Sequence, residues 1–241
     1  MNKILKIVLI ANLLILLIAA IGCSEDGSII TNTPNNGGST TTTITGIVVN
    51  ENNQPISGVT VTAHGQVKTS GANGEFMFTE ITVPQGRLFV KAEKSGFFTA
   101  TRGEQPKAGA TVVKITMMQK SVTHTINSTT GGTANLNNGS MVEIQPGSVV
   151  KNDGTTYNGP VNMSVVYMDP TDVKFSETVS GGDMMARRSD STDAVLYSYG
   201  IMKVEMESPA GERLNVTGGT PSTITTTILA ALVAQAQYTI I

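Results

Sequence analysis

The chain has 241 residues with 16 Lys and Arg against 18 Asp and Glu, which gives a formal net charge of -2. This balance carries no basic surplus that would attract phosphate groups, so we expect no nucleic-acid partner. The single cysteine excludes an internal disulfide bond and any metal site built from several thiolates. Aromatic residues make up only 5% of the chain and Trp is absent, while Thr, Val, Ile and Gly are plentiful. This composition favours an all-β fold with many turns.

The chain begins with a stretch that is typical of a secretory signal. Lys3 and Lys6 supply a positive start, and an apolar run follows over residues 7–21, interrupted only by Asn12. The run is shorter than the roughly 20 residues that cross a bilayer. We therefore predict a helical signal peptide over residues 1–22. The alternatives are a membrane anchor that stays attached, or a leader beside which the thiol is incidental.

The residues around the cysteine, Ala20-Ile21-Gly22-Cys23, resemble the lipobox of bacterial lipoproteins, with Ala20 where that motif usually has Leu. The resemblance implies cleavage before Cys23 and attachment of lipid to it, so the expected lipidation site is Cys23 and the expected partner is a membrane. The acidic pair Glu25-Asp26 resembles the surface-export signal of Bacteroidota lipoproteins, although an ordinary solvated segment would look the same. The resemblance implies a lipid-anchored protein of the cell envelope, at the outer membrane and exposed on the surface.

Residues 23–42 are rich in Ser, Thr, Asn and Gly, and their only adjacent apolar pair is Ile29-Ile30. Such a segment cannot bury enough apolar surface to offset the entropy lost when a chain is ordered. We therefore predict a flexible, disordered tether over residues 23–42.

From residue 43 onwards, short runs of alternating apolar and polar residues are separated by Gly, Pro and Asn, which indicates half-buried strands joined by turns. We predict an antiparallel β-sandwich over residues 43–120, with strands at 44–49, 59–64, 76–78, 88–90 and 113–118. Gly74 stands in a turn where a β-branched residue would resist the backbone angles. We therefore expect Gly74→Val to destabilise this domain.

Two stretches of this segment, GIVVNENNQPISGVTV and TSGANGEFMF, resemble the carboxypeptidase regulatory-like domain, which has a transthyretin-like fold. The matching residues are Gly46, Pro55, Gly58, Val59, Val61, Gly74 and Phe76, and Lys94 to Phe97 resemble a later element of that family. The resemblance implies an accessory domain. It does not imply carboxypeptidase activity, because that activity needs a zinc-bearing catalytic domain that no segment here resembles.

A second β-sandwich-like domain is predicted over residues 121–241, with flexible Met side chains filling its core. The expected strands cover 125–128, 141–144, 161–166, 202–207, 214–216 and 223–228, and a long exposed loop is expected over 175–192. The elements GSMVEIQPGSV, Tyr157 to Val161 and SYGIMKVEM resemble β domains of extracellular proteins of the cartilage-layer-protein type. They are distantly similar to the β domain shared by zonula occludens proteins and netrin receptors. An unrelated β-sandwich is the alternative.

The end of the chain carries a separate expectation. An apolar, alanine-rich stretch at 229–237 is followed by Tyr238 to Ile241, the beginning of another β-branched run. We expect the second domain to be incomplete at Ile241 and the native chain to continue beyond it. The alternatives are an edge strand that ends at Ile241, or a short terminal helix over 229–237.

No catalytic pattern follows the leader. Neither His64 nor His124 has a Glu or a second His at metal-ligand spacing, and no Ser lies in a G-x-S-x-G turn. We interpret His64 as a surface residue and Arg187-Arg188 as solvated rather than as a binding fork. The chain therefore offers no catalytic, cofactor-binding or metal-binding residue that we would assign, and we expect neither a cofactor nor enzyme activity.

Two further sets of side chains each allow a binding hypothesis and a simpler interpretation. The first set is a group of carboxylates that would bind calcium or merely be solvated: Asp169, Asp172, Glu177 and Asp183. The second is a group of tyrosines that would form a sugar-stacking surface or occupy core positions: Tyr157, Tyr167, Tyr197 and Tyr199.

Three functional hypotheses follow. The first is a lipid-anchored envelope protein whose non-catalytic β domains bind or scaffold an extracellular partner, a glycan or a protein. The second is a carbohydrate-binding module of a nutrient-uptake system. The third is an enzyme, or the accessory part of a peptidase or another hydrolase.

Overall fold

The computed structural model describes residues 38–189, 192–220 and 222–233. The predicted signal peptide, Cys23, most of the predicted tether and residues 234–241 lie outside these ranges. Within them, no helix is both long enough and apolar enough to span a membrane. Nearly all regular structure is β, which confirms the all-β prediction.

The first half of the described chain is a sandwich of two sheets. One sheet has the strand order β4-β1-β7 and the other has the order β3-β2-β5-β6. The strands are β1 (Ser39–Asn50), β2 (Thr60–Ala63), β3 (Gln66–Thr69), β4 (Glu75–Pro84), β5 (Leu88–Glu93), β6 (Ala100–Glu104) and β7 (Gly109–Met117). Buried side chains from both sheets form one core.

Strand β4 shows how the alternating pattern builds this core. Phe76, Phe78, Ile81 and Val83 are buried, and their neighbours along the strand are exposed. The phase changes between Phe78 and Ile81, where the pairing with β1 is irregular and Glu80 has a φ of +48°. Full burial of a side chain such as Phe78 contributes about 2–3 kcal/mol to stability.

The first strand differs from the sequence prediction in two respects. It begins at Ser39, so the last four residues assigned to the tether are part of the sheet. Thr42 is buried, and its hydroxyl lies 2.9 Å from that of Thr111 on β7, a pairing that compensates for its polarity. In addition, β1 and β7 run parallel, whereas every other pair in the two sheets is antiparallel.

The second half contains a five-stranded sheet of order β11-β16-β15-β12-β8, a three-stranded sheet of order β17-β10-β9, and the hairpin β13-β14. The strands are β8 (His124–Asn127), β9 (Gly132–Asn135), β10 (Met141–Ile144), β11 (Val149–Lys151), β12 (Pro160–Met168), β13 (Met185–Arg187), β14 (Asp193–Val195), β15 (Ile201–Glu207), β16 (Arg213–Val216) and β17 (Thr223–Thr225). A second core lies between the two larger sheets. Met163 and Met206 are buried in it, as the Met-rich strands predicted.

Two predictions for the second half were wrong in detail. The segment expected to be one irregular loop contains the short helix α1 (Phe175–Thr178) and the strand β13, whose hairpin partner β14 begins directly after it at Asp193. The last described strand stops at Thr225 rather than at residue 228, and a 3-10 helix covers Ala230–Leu232. The division of the chain into two domains at residue 120 stays a prediction, although the two cores share no residue.

We expect Gly74→Ala to destabilise the protein more than Gly65→Ala does. Both glycines have a φ of +76°, so a left-handed strain of about 1–2 kcal/mol is common to the two variants. A Cβ on Gly74 would lie 2.3 Å from the carbonyl oxygen of Val48, whereas one on Gly65 would meet nothing within 4 Å. The displaced backbone should cost roughly another 2 kcal/mol, measurable by urea unfolding. Equal losses in the two variants would contradict this account of Gly74.

Candidate functional site

A charged cluster lies where the two halves meet. Lys120, three residues after β7, places its Nζ 3.0 Å from an oxygen of Glu205 and 2.5 Å from one of Glu207, both on β15. The backbone N–H of Thr99 donates a 2.9 Å hydrogen bond to the other oxygen of Glu205. The side chain of Lys120 is only 10% exposed and that of Glu205 only 15%. We call Lys120, Glu205 and Glu207 the seam cluster.

The electrostatics of the seam cluster favour a charged lysine. Burial alone lowers the pKa of Lys120, but hydrogen bonds to Glu207 and Glu205 together with their charges outweigh it, so the pKa is raised. A lysine held in this way is a poor nucleophile, because its amine stays protonated. The arrangement therefore joins the segment after β7 to β15.

Lys203 lies on the same strand and has the opposite character. Burial lowers its pKa, and the nearby charge of Glu205 only partly opposes that effect. A lysine with a lowered pKa is a candidate for a functional site. Here, however, its ammonium group donates a 2.9 Å hydrogen bond to the carbonyl of Thr178, which fixes the end of α1. We assign Lys203 a structural role on that contact.

A second set of contacts covers the edge of the first sandwich. Gly181 donates its N–H to the carbonyl of Thr101 at 2.8 Å and accepts the N–H of Gly103 at 3.1 Å, so it continues the sheet beyond β6. The guanidinium of Arg102 donates to the carbonyl of Ser176 at 2.9 Å. An open strand edge invites pairing with another chain, and this segment of the second half removes the β6 edge from such pairing.

The predicted acidic group does not assemble into a cation site. Asp169 and Asp172 accept hydrogen bonds from residues two positions later in their own turns. Glu177 lies 3.6 Å from Lys114, and Asp183 pairs with Arg87. Across the described residues, no three His, Cys, Asp or Glu side chains come together at metal-binding distance. Each carboxylate caps a turn or joins the two halves.

The predicted tyrosine group does not form one surface either. Tyr157 packs against the second core and donates its hydroxyl to the carbonyl of Pro160 at 2.9 Å. Tyr167 donates to the carbonyl of Tyr199 at 3.2 Å. Tyr197 is 78% exposed, so the interpretation of this residue as part of the core was wrong. Of the four, only Tyr197 presents most of its ring to solvent.

The remaining candidates are ordinary surface positions. His64 is exposed, as predicted, but it lies in the turn after β2 with a φ of +45° rather than on the strand itself. The Nδ1 of His124 lies 3.1 Å from the hydroxyl of its neighbour Thr123. Arg188 is exposed and donates its backbone N–H to Thr192.

A cleft that the sequence did not indicate opens between the two sheets of the second half. It has a volume of about 260 Å³ and lies between β15 and β16 on one side and β10 and β17 on the other. Most of its lining residues are apolar, Glu205 and Arg213 are among the others, and no aromatic residue lines it. The Oγ of Ser222, at its edge, is buried with no hydrogen-bond partner in the described part of the chain. A cleft of this size and lining suits a small apolar group better than a sugar.

Comparison with known proteins assigns only part of the chain. Residues 43–137 match the carboxypeptidase regulatory-like domain family, a stretch that ends beyond the boundary predicted at 120. This similarity supports a non-catalytic module for that stretch, and it covers less than half of the chain. No curated protein sequence matches the chain.

Three solved structures share weak similarity. A candidate carbohydrate-binding protein from Bacteroides uniformis is 12% identical, with 78% of this chain and 100% of that chain covered and a TM-score of 0.27. A candidate membrane-associated protein of unknown function from Bacteroides fragilis is 9% identical, with 76% and 84% covered and a TM-score of 0.27. The 3-chlorocatechol 1,2-dioxygenase of Rhodococcus opacus is 13% identical, with 36% and 61% covered and a TM-score of 0.25. Scores this low support no functional argument.

We expect Lys120→Met to lower the free energy of unfolding by about 2–3 kcal/mol, because two neighbouring carboxylates lose the cation that compensates their burial. Lys91→Met, which breaks the more exposed pair with Glu93, should cost less than about 0.5 kcal/mol. Urea unfolding of the two variants measures the difference, and equal losses would contradict the clamp.

The same variant tests the pH dependence. Because the pKa of Lys120 is raised in the folded state, its contribution is complete below the ordinary value of 10.5 and is lost as the pH rises through the folded value. The stability gap between the native chain and Lys120→Met should stay constant between about pH 7 and pH 10 and narrow above that range.

Proposed function

We propose that this is a lipid-anchored protein of the bacterial cell envelope whose β domains bind or scaffold a partner outside the membrane without catalysis. The observation that carries the proposal is the position of the single cysteine. Cys23 directly follows a positive start, a short apolar run and a small residue, Gly22. Processing of a lipoprotein needs a cysteine at that place, and anchoring then needs two or more acyl chains.

The non-catalytic part of the proposal is supported by what the polar side chains do. The seam cluster and the pair between Arg87 and Asp183 are engaged in contacts that hold the two halves together. The match of residues 43–137 to a regulatory-like module agrees with such a role. A scaffold of this kind offers surfaces instead of a reactive centre.

The partner class separates the proposal from its alternatives. A nutrient-uptake module should bind one polysaccharide class on a glycan array, and the exposed ring of Tyr197 is the described tyrosine best placed to stack on a sugar. An accessory part of a hydrolase should co-purify with hydrolase activity. The scaffold is favoured if the chain binds no polysaccharide, co-purifies with no hydrolase activity and captures an envelope protein.

We expect Cys23→Ala to abolish fatty-acid labelling of the full chain and to leave it unprocessed or release it from membranes. The matched control is Ser24→Ala, which leaves Cys23 and the residues before it unchanged. Radiolabelled palmitate followed by membrane fractionation makes the measurement. Labelling that persists in Cys23→Ala would overturn the anchor.

A further inference from the structure

The β13-β14 hairpin presents apolar side chains to solvent. Met185 is 41% exposed, Val195 65%, Leu196 53% and Tyr197 78%. Met185 and Val195 are directly paired across the hairpin, and the N–H of Leu196 donates to the carbonyl of Met184 at 2.7 Å, so the pairing continues toward Tyr197. We call Met185, Val195, Leu196 and Tyr197 the hairpin patch. Exposed apolar residues that lie together in this way are typical of surfaces that contact a protein or a membrane.

The hairpin patch lies next to the point at which the predicted tether enters the fold. The N–H of Gln85 donates to the carbonyl of Gly38, the first described residue, at 2.9 Å. Two residues later, the guanidinium of Arg87 bonds to the carboxylate of Asp183. That same carboxylate accepts the N–H of Met185 at 3.0 Å, at the start of the hairpin. A short series of contacts therefore joins Gly38 to the hairpin patch.

The number of residues between Cys23 and Gly38 limits how far Gly38 can lie from a membrane that holds Cys23. A coil between Cys23 and Gly38 would average about 20 Å end to end. If Cys23 carries lipid, Gly38 and its neighbours form the end of the folded chain that is closest to the bilayer. The hairpin patch is then an exposed apolar group that this series of contacts connects to the end of the fold nearest to the lipid.

The chemistry of the hairpin patch fits a bilayer surface. Tyr rings favour the headgroup region because they combine an apolar face with a polar edge, and Leu, Val and Met gain free energy in the acyl region below it. The exposed side chains of Arg188 and Asp193, on either side of the hairpin turn, carry opposite charges, so the contact should not require anionic lipid. We propose that the hairpin patch inserts shallowly into the membrane that carries the anchor, a proposal that rests on the proposed lipidation of Cys23.

Fluorescence provides a direct test, because the chain contains no tryptophan. The full, lipidated chain with Tyr197→Trp is reconstituted into phosphatidylcholine vesicles that contain brominated lipid. We expect a blue-shifted emission and at least about twofold stronger quenching than in the control variant Val122→Trp. Leu196→Trp provides a second reporter if Tyr197→Trp alters the fold.

Val122 suits the control because it is 54% exposed but lies away from the tether. It follows β7, whose last residue, Met117, pairs with Asn50 at the far end of β1. The length of β1 separates that end from Ser39 by about 36 Å, from a rise of about 3.3 Å per residue.

The outcomes distinguish a failure of the proposed membrane contact from a failure of the proposed lipid anchor. Fatty-acid labelling of the same samples reports the anchor alone. If the labelled Tyr197→Trp and Leu196→Trp chains are quenched no more than the Val122→Trp chain, the membrane contact is overturned and the anchor stands. Emission that shifts with added polysaccharide but not with vesicles also overturns the contact, in favour of a glycan. Quenching of a chain that combines Tyr197→Trp with Cys23→Ala, mixed with vesicles, supports the contact even where the anchor fails.

Discussion

One ammonium group between two carboxylates fixes how the two cores of this protein meet. Lys120 lies just after the last strand of the first sandwich, and Glu205 and Glu207 belong to β15, near the middle of the five-stranded sheet. Glu205 also binds the backbone N–H of Thr99, so the clamp reaches the segment before β6. Removing a charged group from water costs free energy unless the group gains an oppositely charged partner. Lys120 of the first half and the two carboxylates of the second half provide such partners for one another.

A second set of contacts, around Gly181, also joins the two halves. Gly181 bonds to the backbone on either side of Arg102, and Arg87 donates to the carbonyl of Gly181 at 3.1 Å. A segment that looks like a polar loop in sequence thus extends the four-stranded sheet of the first sandwich beyond β6. Two of its carboxylates, Glu177 and Asp183, lie beside Lys114 and Arg87 of the first half, and neither belongs to a cation site in the described residues.

Strands with a clean alternation could be predicted from sequence, because each buries one face against a core. β2 and β5 are of this kind. β3 was missed because all four of its residues are exposed, and β6 because its outer edge is covered by residues from the second half. The sequence did not indicate that β1 begins as early as Ser39, because the start of the strand is rich in polar Thr residues. The buried hydroxyl of Thr42 finds its hydrogen-bond partner in Thr111, which is 69 positions away in the chain.

The candidate site was harder to predict for a related reason. Lys120 and Glu205 are 85 residues apart, and no spacing rule connects charges that only the packing of two sandwiches brings together. The exposure of Tyr197 could not be predicted from sequence either. A tyrosine that follows an alternating stretch is usually interpreted as a core residue, but Tyr197 comes after the β13-β14 hairpin and is exposed. The turn at Gly74, in contrast, is a local property of the chain and was recognised from its residues alone.

The placement of β1 has a mechanical consequence. This strand is the first described element of the chain, and it lies between β4 and β7 with hydrogen bonds to both along most of its length. A pull on Gly38 along the strand axis would load both ladders in shear, so that many hydrogen bonds share the force instead of opening one after another. A protein held at a cell surface by this end would therefore resist drag through its longest described strand, before either core was exposed to water.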